Sequence, residues 1–218
     1  MDKITEYLMQ SLPANEARVT ELEQTAEKDG VPIMDPLGMN FVMQLIRLTN
    51  PGRILEIGTA IGYSALRMLE ANPDAQIVTI EKDEERFQQA KRNIKDASKE
   101  DHIDIVYGDA IDYLQQVKDS TFDLVLIDAA KGKYQCFFEL SAPLLTNGGL
   151  ILSDNVLFKG YVADSEKQHP NYQVIAEKIR TYNDWLINHP DFTTSIVPIG
   201  DGIAISIKGR GKELSYHA

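Results

Sequence analysis

The sequence predicts an α/β protein built on a mostly parallel sheet with helices on both faces. Three observations carry that prediction. From Arg53 onward, short apolar runs alternate with helical patterns. One of these runs, Arg53-Ile54-Leu55-Glu56-Ile57, passes through a glycine-containing turn, Gly58 to Gly62, into a helix. The chain then closes on two strand-like runs joined by Gly200-Asp201, which read as a hairpin. Alternation of strand and helix is the pattern of a parallel sheet covered on both sides.

Taken in order, residues 1–28 read as two amphipathic helices broken near Pro13. The first is expected to bury Ile4, Leu8 and Met9. The second opens at about Asn15 and carries Val19 and Leu22. Gly30-Val31-Pro32 stops the helix and begins an extended piece. Asp35-Pro36 reads as an N-cap followed by proline at the first helical position. That helix runs to about Thr49 and ends at Asn50-Pro51-Gly52. Strands follow at 53–57, 76–81, 103–107, 122–128 and 149–153, with helices at 62–71, 83–97, 109–118 and 133–144 between them. A loop at 154–170 leads to a helix at 171–188. Strand-like runs at 192–199 and 202–208 complete the fold, and a polar tail begins at Gly209.

Composition bounds the function. At 218 residues, 43% hydrophobic and 25% charged, the chain is expected to form one domain over 1–218, with residues 1–50 as a helical cap. No run reaches the ~18 apolar residues of a membrane helix, and the N-terminus lacks the apolar stretch of a signal peptide. A single cysteine, Cys136, excludes an internal disulfide and points to the cytoplasm. The formal net charge of −11 argues against non-specific nucleic-acid binding but leaves room for a local basic patch.

The chemistry is expected at the carboxyl ends of the strands, where open α/β sheets bind ligands. Gly58 and Gly62 are spaced G-x-x-x-G. Both the dinucleotide fingerprint and the P-loop are absent, so a pyrophosphate is a poor ligand for this turn. Glu56 would repel phosphate and suits a ligand with positive charge. Glu81 follows Gly58 at nearly the ~20-residue offset of a ribose-binding acid. A ribose held by a carboxylate, with a cationic tail and no phosphate, describes S-adenosylmethionine. Asp83 and Asp109 also read as caps of the following helices. Asp128, Asp154 and Asn155 offer two carboxylates and an amide oxygen from two strand ends. These are hard ligands, with no Cys or His beside them, and fit Mg²⁺, Mn²⁺ or Ca²⁺. Lys131, three residues after Asp128, is placed for general-base work beside such an ion. Lys133 reads as surface or substrate-facing.

Five pieces carry a resemblance: Glu56-Ile-Gly-Thr-Ala-Ile-Gly-Tyr-Ser64, Ile80-Glu81, Gly108-Asp109-Ala110, Ile127-Asp-Ala-Ala-Lys-Gly-Lys-Tyr134 and Ser153-Asp-Asn-Val156. In this order and spacing the chain resembles the cation-dependent, S-adenosylmethionine-dependent O-methyltransferases, the family of the catechol and caffeoyl-coenzyme A enzymes. The resemblance implies a seven-stranded Rossmann-like sheet with an antiparallel last strand. It also implies that Gly58 and Ser64 line the methionine end, Glu81 holds the ribose, and Asp109 and Ala110 hold the adenine. Met34 falls in a segment that closes over the cofactor. Asp128, counted with both cofactor and metal, joins Asp154 and Asn155 around Mg²⁺ or Mn²⁺, and Lys131 is the base. Catechol methyltransferases have Asp-His-Trp-Lys where this chain has Asp128-Ala-Ala-Lys131, which leaves a roomier mouth here.

Finer pieces resemble the bacterial branch that methylates 5-hydroxyuridine at the tRNA wobble position to 5-methoxyuridine. They are Val31-Pro-Ile-Met34, Asp154-Asn-Val-Leu-Phe-Lys-Gly160, Trp185-Leu-Ile-Asn-His-Pro190 and Gly200-Asp-Gly-Ile-Ala-Ile-Ser206. The resemblance makes such a tRNA the expected partner, with a homodimer through the N-terminal helices and the 171–188 helix. The 5-oxygen and 4-carbonyl oxygen of that base are vicinal, as in a catechol, so one metal can chelate both. The rival acceptor is a small catechol-like or caffeoyl-type phenol, which the net charge favours. A non-catalytic cofactor-binding or RNA-binding module is the reading from another class. Intact Asp128, Lys131, Asp154 and Asn155 speak against it. Cys136 reads as a packed small residue, and Trp185 as core or dimer contact. His102, His169, His189 and His217 lack metal-ligand spacing. Lys159 and Lys167 on the 154–170 loop are solvated charges or phosphate contacts.

Overall fold

The computed structural model describes residues 3–118, 121–164, 166, 169 and 171–209. Lys167, His217 and the tail beyond Gly209 lie outside these residues. Seven strands form one sheet: β1 (Arg53–Ile57), β2 (Gln76–Glu81), β3 (Ile103–Tyr107), β4 (Phe122–Ile127), β5 (Leu145–Ser153), β6 (Phe192–Val197) and β7 (Ile203–Lys208). Their spatial order is β3-β2-β1-β4-β5-β7-β6. The first five run parallel, and β7 pairs antiparallel with both β5 and β6. This is the Rossmann-like methyltransferase sheet with its C-terminal antiparallel hairpin, as the resemblance implies. The strand order reverses between β1 and β4, and such a switch opens a crevice at the carboxyl ends of the strands.

Alternation along the strands assigns each residue to a face. Ile54, Ile77, Leu124, Leu126, Leu150 and Leu152 face one layer. That layer holds α2 (Ala17–Asp29), α3 (Pro36–Thr49) and α4 (Tyr63–Ala71), through Val19, Val42, Met43, Ile46 and Met68. Leu55, Ile57, Ile80, Val125, Ile127 and Ile151 face the other. Its helices include α6 (Ala110–Gln116), α7 (Tyr134–Ser141) and α8 (Tyr172–Ile187). The remaining helices are α1 (Lys3–Gln10) and α5 (Glu84–Asp96).

Several elements differ from the sequence reading, each for a local reason. The α1 helix buries none of its residues. Ile4 is 73% exposed and Leu8 38%, so the expected burial of Ile4, Leu8 and Met9 does not occur; α1 lies at the rim of a large cavity instead. The single helix expected at 133–144 is α7 between two 3-10 turns, Lys131–Lys133 and Ala142–Leu144. Pro143 has no N–H to continue the α-helical ladder. Strand β5 begins at Leu145, and its pairing with β4 shifts register between Phe122 and Leu124. The Asp35 cap is as read: its carboxylate accepts from Leu37 N at 2.9 Å and Gly38 N at 3.3 Å, with Pro36 next. Trp185 and His189 pack with Phe138, Tyr182 and Phe192 in an aromatic cluster, Trp185 and Phe192 edge-on to Phe138 and Trp185 stacked on Tyr182. Among the described residues no helix is long and apolar enough to cross a membrane.

Candidate active site

The parallel ladder extends one residue beyond each central strand. Asp128 N donates to the Ile57 carbonyl and Asp154 N to the Ile127 carbonyl, each at 3.0 Å. Gly58, Asp128 and Asp154 therefore sit in a row at the floor of the crevice. Above them opens a cavity of about 1350 Å³. That exceeds the roughly 300–1,000 Å³ of a usual small-molecule site, so it has room for a cofactor and an acceptor together.

One half of the cavity gathers the residues read as cofactor contacts. Met34, Gly58, Ser64, Glu81, Asp109 and Ala110 all line it. Glu81 is 9% exposed; its Oε2 accepts from Ala60 N at 2.8 Å and its Oε1 from Asp83 N at 2.9 Å. It thus braces the Gly58–Gly62 turn, where Ala60 takes a left-handed φ of 46°. Each carboxylate oxygen keeps lone-pair capacity toward a ribose hydroxyl. Asp109 does cap its helix, accepting from Ile111 N at 2.9 Å, and it also pairs with Lys133 Nζ at 3.2 Å. Those bonds, the backbone one first, hold its carboxyl below the usual range. Asp83 likewise caps α5 through Arg86 N at 3.0 Å.

Glu56 stands apart from this group. Strand alternation turns it inward with Ile54, onto the α3 and α4 face, and it is not among the residues lining the cavity. It is wholly buried, and its Oε2 accepts from the Thr79 hydroxyl, which in turn meets Thr59. Burial pushes its pKa up to about 7 against the pull of the Ser64 and Thr79 hydroxyls. Its carboxylate therefore supports the turn from beneath. Gly58 is glycine for a reason the sequence hides. Its φ is 104°, and a Cβ there would stand 2.1 Å from the Asp128 carbonyl oxygen.

The other half holds Asp128, Lys131, Asp154 and Asn155. Asp154 is 3% exposed. Burial, then the neighbouring Asp128 charge, drives its carboxyl well above the usual range. Burial raises Asp128 too, with Lys131 opposing. Lys131 Nζ donates to Asn155 Oδ1 at 2.7 Å, and Asn155 Nδ2 donates to Asp154 Oδ2 at 3.1 Å. Tyr134, buried behind them, donates from its hydroxyl to the Asp154 carbonyl at 3.0 Å. Among the described residues no cluster of three His, Cys, Asp or Glu side chains assembles. The donor set is two carboxylates and one amide oxygen. Two mutually repelling, desolvated carboxylates fit a hard divalent cation, which would restore both to the charged form.

The sequence reading passed over several residues that line this cavity. Glu23 on α2 accepts from the Tyr63 hydroxyl at 2.8 Å and from Asn15 Nδ2. Residues Pro198 to Asp201 form part of the wall; Pro198 and Ile199, read as the end of a strand, lie beyond β6, with Gly200-Asp201, read as the hairpin connection, after them. Nothing in helix or turn spacing marks either one, because each reaches the cavity through contacts far away in the chain.

Comparison with known proteins identifies the family. The model of a family described as O-methyltransferase matches residues 11–209. A flavonoid 3',5'-methyltransferase of Vitis vinifera is 30% identical, over 94% of this chain and 93% of its own. A caffeoyl-CoA O-methyltransferase of Populus kitakamiensis is 30% identical over 91% and 89%. Among solved structures, a Staphylococcus aureus protein provisionally described as a caffeoyl-CoA O-methyltransferase superposes with a TM-score of 0.89. It is 39% identical and covers 95% of this chain and all of its own. A Bacillus cereus O-methyltransferase solved with S-adenosylhomocysteine is 26% identical, with a TM-score of 0.80 over 94% and 96% of the two chains. With sheet, crevice and relatives in agreement, the chain belongs to the caffeoyl-CoA type of the O-methyltransferase family and is an S-adenosylmethionine-dependent enzyme.

Proposed function

We propose that this enzyme methylates one of two vicinal oxygens on a catechol-like or caffeoyl-type phenol, with a divalent cation held by Asp128, Asp154 and Asn155. One observation carries this reading. The carboxylates of half-buried Asp128 and buried Asp154 and the Asn155 amide follow adjacent strands in the same cavity as Gly58, Ser64 and Glu81. The names of the relatives, flavonoid and caffeoyl-CoA methyltransferases, support the phenol.

In this reading Met34, Gly58, Ser64, Glu81, Asp109, Ala110 and Asp128 hold and orient the cofactor in one half of the cavity. An Mg²⁺ or Mn²⁺ ion held by Asp128, Asp154 and Asn155 would supply Lewis-acid chemistry that lowers the pKa of the acceptor hydroxyl. Lys131 acts on the acceptor's proton through Nζ, which Asn155 Oδ1 holds 2.7 Å away. The walls align acceptor oxygen and methyl donor, and positioning of this kind supplies much of the acceleration in group transfer. We further propose a single cytoplasmic domain over residues 1–218. It would pair as a homodimer through α1 and α8, whose exposed apolar residues include Ile4, Tyr7, Val174 and Ile187.

A second reading, 5-hydroxyuridine in tRNA, has one observation in its favour. In a chain of net charge −11, Lys131, Lys133 and Lys159 line the cavity, Lys133 being paired with Asp109 in the cofactor half. Lysines at this cavity suit an acceptor that carries phosphate, in the backbone of a tRNA or in the CoA of a caffeoyl-type substrate.

The deciding experiment supplies purified enzyme with S-adenosylmethionine, Mg²⁺ and either caffeoyl-CoA or a tRNA bearing 5-hydroxyuridine. Transfer to the phenol should vanish in EDTA and return with Mg²⁺ or Mn²⁺. Lys131→Ala should slow transfer by roughly 100-fold or more while cofactor affinity holds. Full activity in EDTA would remove the metal from the mechanism. Transfer to the tRNA, with none to the phenol, would move the assignment to the second reading.

A further inference from the structure

The loop after β5 carries Asn155 and Lys159 in an unusual backbone. Asn155, Phe158 and Lys159 all adopt positive φ, at 58°, 39° and 54°. None is glycine, and such conformations persist only where surrounding contacts impose them. The contacts come from the turn between β6 and β7. Lys159 N donates to Asp201 Oδ1 at 2.6 Å. Leu157 N donates to the Asp201 carbonyl and Val156 N to the Gly202 carbonyl, each at 2.9 Å. The fit is close: a Cβ on Gly202 would lie 2.4 Å from Leu157 Cγ.

We propose that Asp201 is a positioning residue for the acceptor half of the site. Its carboxylate pins the Lys159 amide and so holds the loop in the conformation that sets Asn155 against Lys131 and Asp154. The backbone bonds from residue 201 and Gly202 seat the loop, but they are available to any side chain at position 201. Only the Oδ1 bond depends on the aspartate. Asp201 lines the cavity without belonging to the proposed cation ligands, and its charge reaches Asp154, where it helps raise that carboxyl. The inference rests on the cation reading above and adds the residue that shapes the cation's loop.

The test uses the full-length protein and three readouts: Mn²⁺ titration by electron paramagnetic resonance, S-adenosylhomocysteine titration by calorimetry, and amide exchange over residues 156–160. Asp201→Ala should weaken Mn²⁺ binding by about tenfold, the usual order for loss of an outer support of a metal ligand, and leave S-adenosylhomocysteine within about twofold. Exchange over 156–160 should quicken. Asp201→Asn keeps an oxygen for the Lys159 amide and should recover most of both effects. Unchanged Mn²⁺ affinity and unchanged exchange in Asp201→Ala would overturn the inference. So would parallel loss of both ligands with no recovery in Asp201→Asn, which describes general loosening. Wild-type protein that binds no Mn²⁺ would instead sink the cation reading, and the exchange comparison would still decide whether Asp201 holds the loop.

Discussion

Glu56 carries a carboxylate with no solvent contact and a single oxygen in a hydrogen bond; Oε1 has no partner among the described residues. Its ordinary pKa of 4.5 rises to about 7, with burial as the first cause and Asp128 and Glu81 adding repulsion. The native state therefore binds a proton that the unfolded chain has already lost between these two values. Stability must fall as pH rises through that window, by roughly 3 kcal/mol at the full shift. Asp128 and Asp154 are raised as well, so the slope of the wild type alone is not diagnostic. The comparison is. Glu56→Gln should remove the part of the slope due to this residue, and urea unfolding at about pH 5 and pH 8 measures it. Identical slopes in the two proteins would show that Glu56 does not titrate in this range.

At the scale of elements, the turn after β1 joins the two halves of the site. Gly58 is pressed on the Asp128 carbonyl, and Glu81 braces Ala60 on the same turn. A methyl group at position 58 must push β1 away from the end of β4. Gly58→Ala should cost more than about 2 kcal/mol, through overpacking and a disfavoured φ. It should also weaken both S-adenosylhomocysteine and Mn²⁺, because the turn and Asp128 move together. Gly30→Ala is the control. Its φ is +63°, but nothing lies within 4 Å of its Cβ position, so only the backbone term of about 1–2 kcal/mol applies. Denaturant midpoints for the two variants, with ligand titrations, separate these effects. Equal costs would mean that the Gly58 contact relaxes freely.

For the whole molecule, the distribution of charge matters more than its sum. A net charge of −11 repels nucleic acid at long range, yet Lys131, Lys133 and Lys159 line the cavity. A tRNA and an uncharged catechol then differ in their salt dependence. An RNA loop that engages about three lysines through phosphates should lose about 20-fold in affinity when salt rises from about 50 to about 200 mM. A neutral catechol should lose almost nothing, since it releases no counterions, whereas caffeoyl-CoA brings phosphates of its own. Steady-state KM across this salt range measures the difference. A flat profile for hydroxylated tRNA would deny those lysines a phosphate role.

The sequence alone determined the seven strands, the caps at Asp35, Asp83 and Asp109, and the row of acids at the strand tips. Buried parallel strands must be near-continuous apolar runs, and their ends must be marked by Gly, Asp or Asn, so local residue order records them. Tertiary structure decided what depends on neighbours distant in the chain. It turned Glu56 into the core, one residue short of the strand tip, because side chains alternate and α3 and α4 cover that face. It set α1 at the rim of the cavity, although the helix is amphipathic enough to have been packed. It fixed Gly58 through a carbonyl 70 positions later and brought Asp201 to the loop at Lys159. Those placements follow from which elements the sheet order makes adjacent, and no local pattern in the sequence encodes that adjacency.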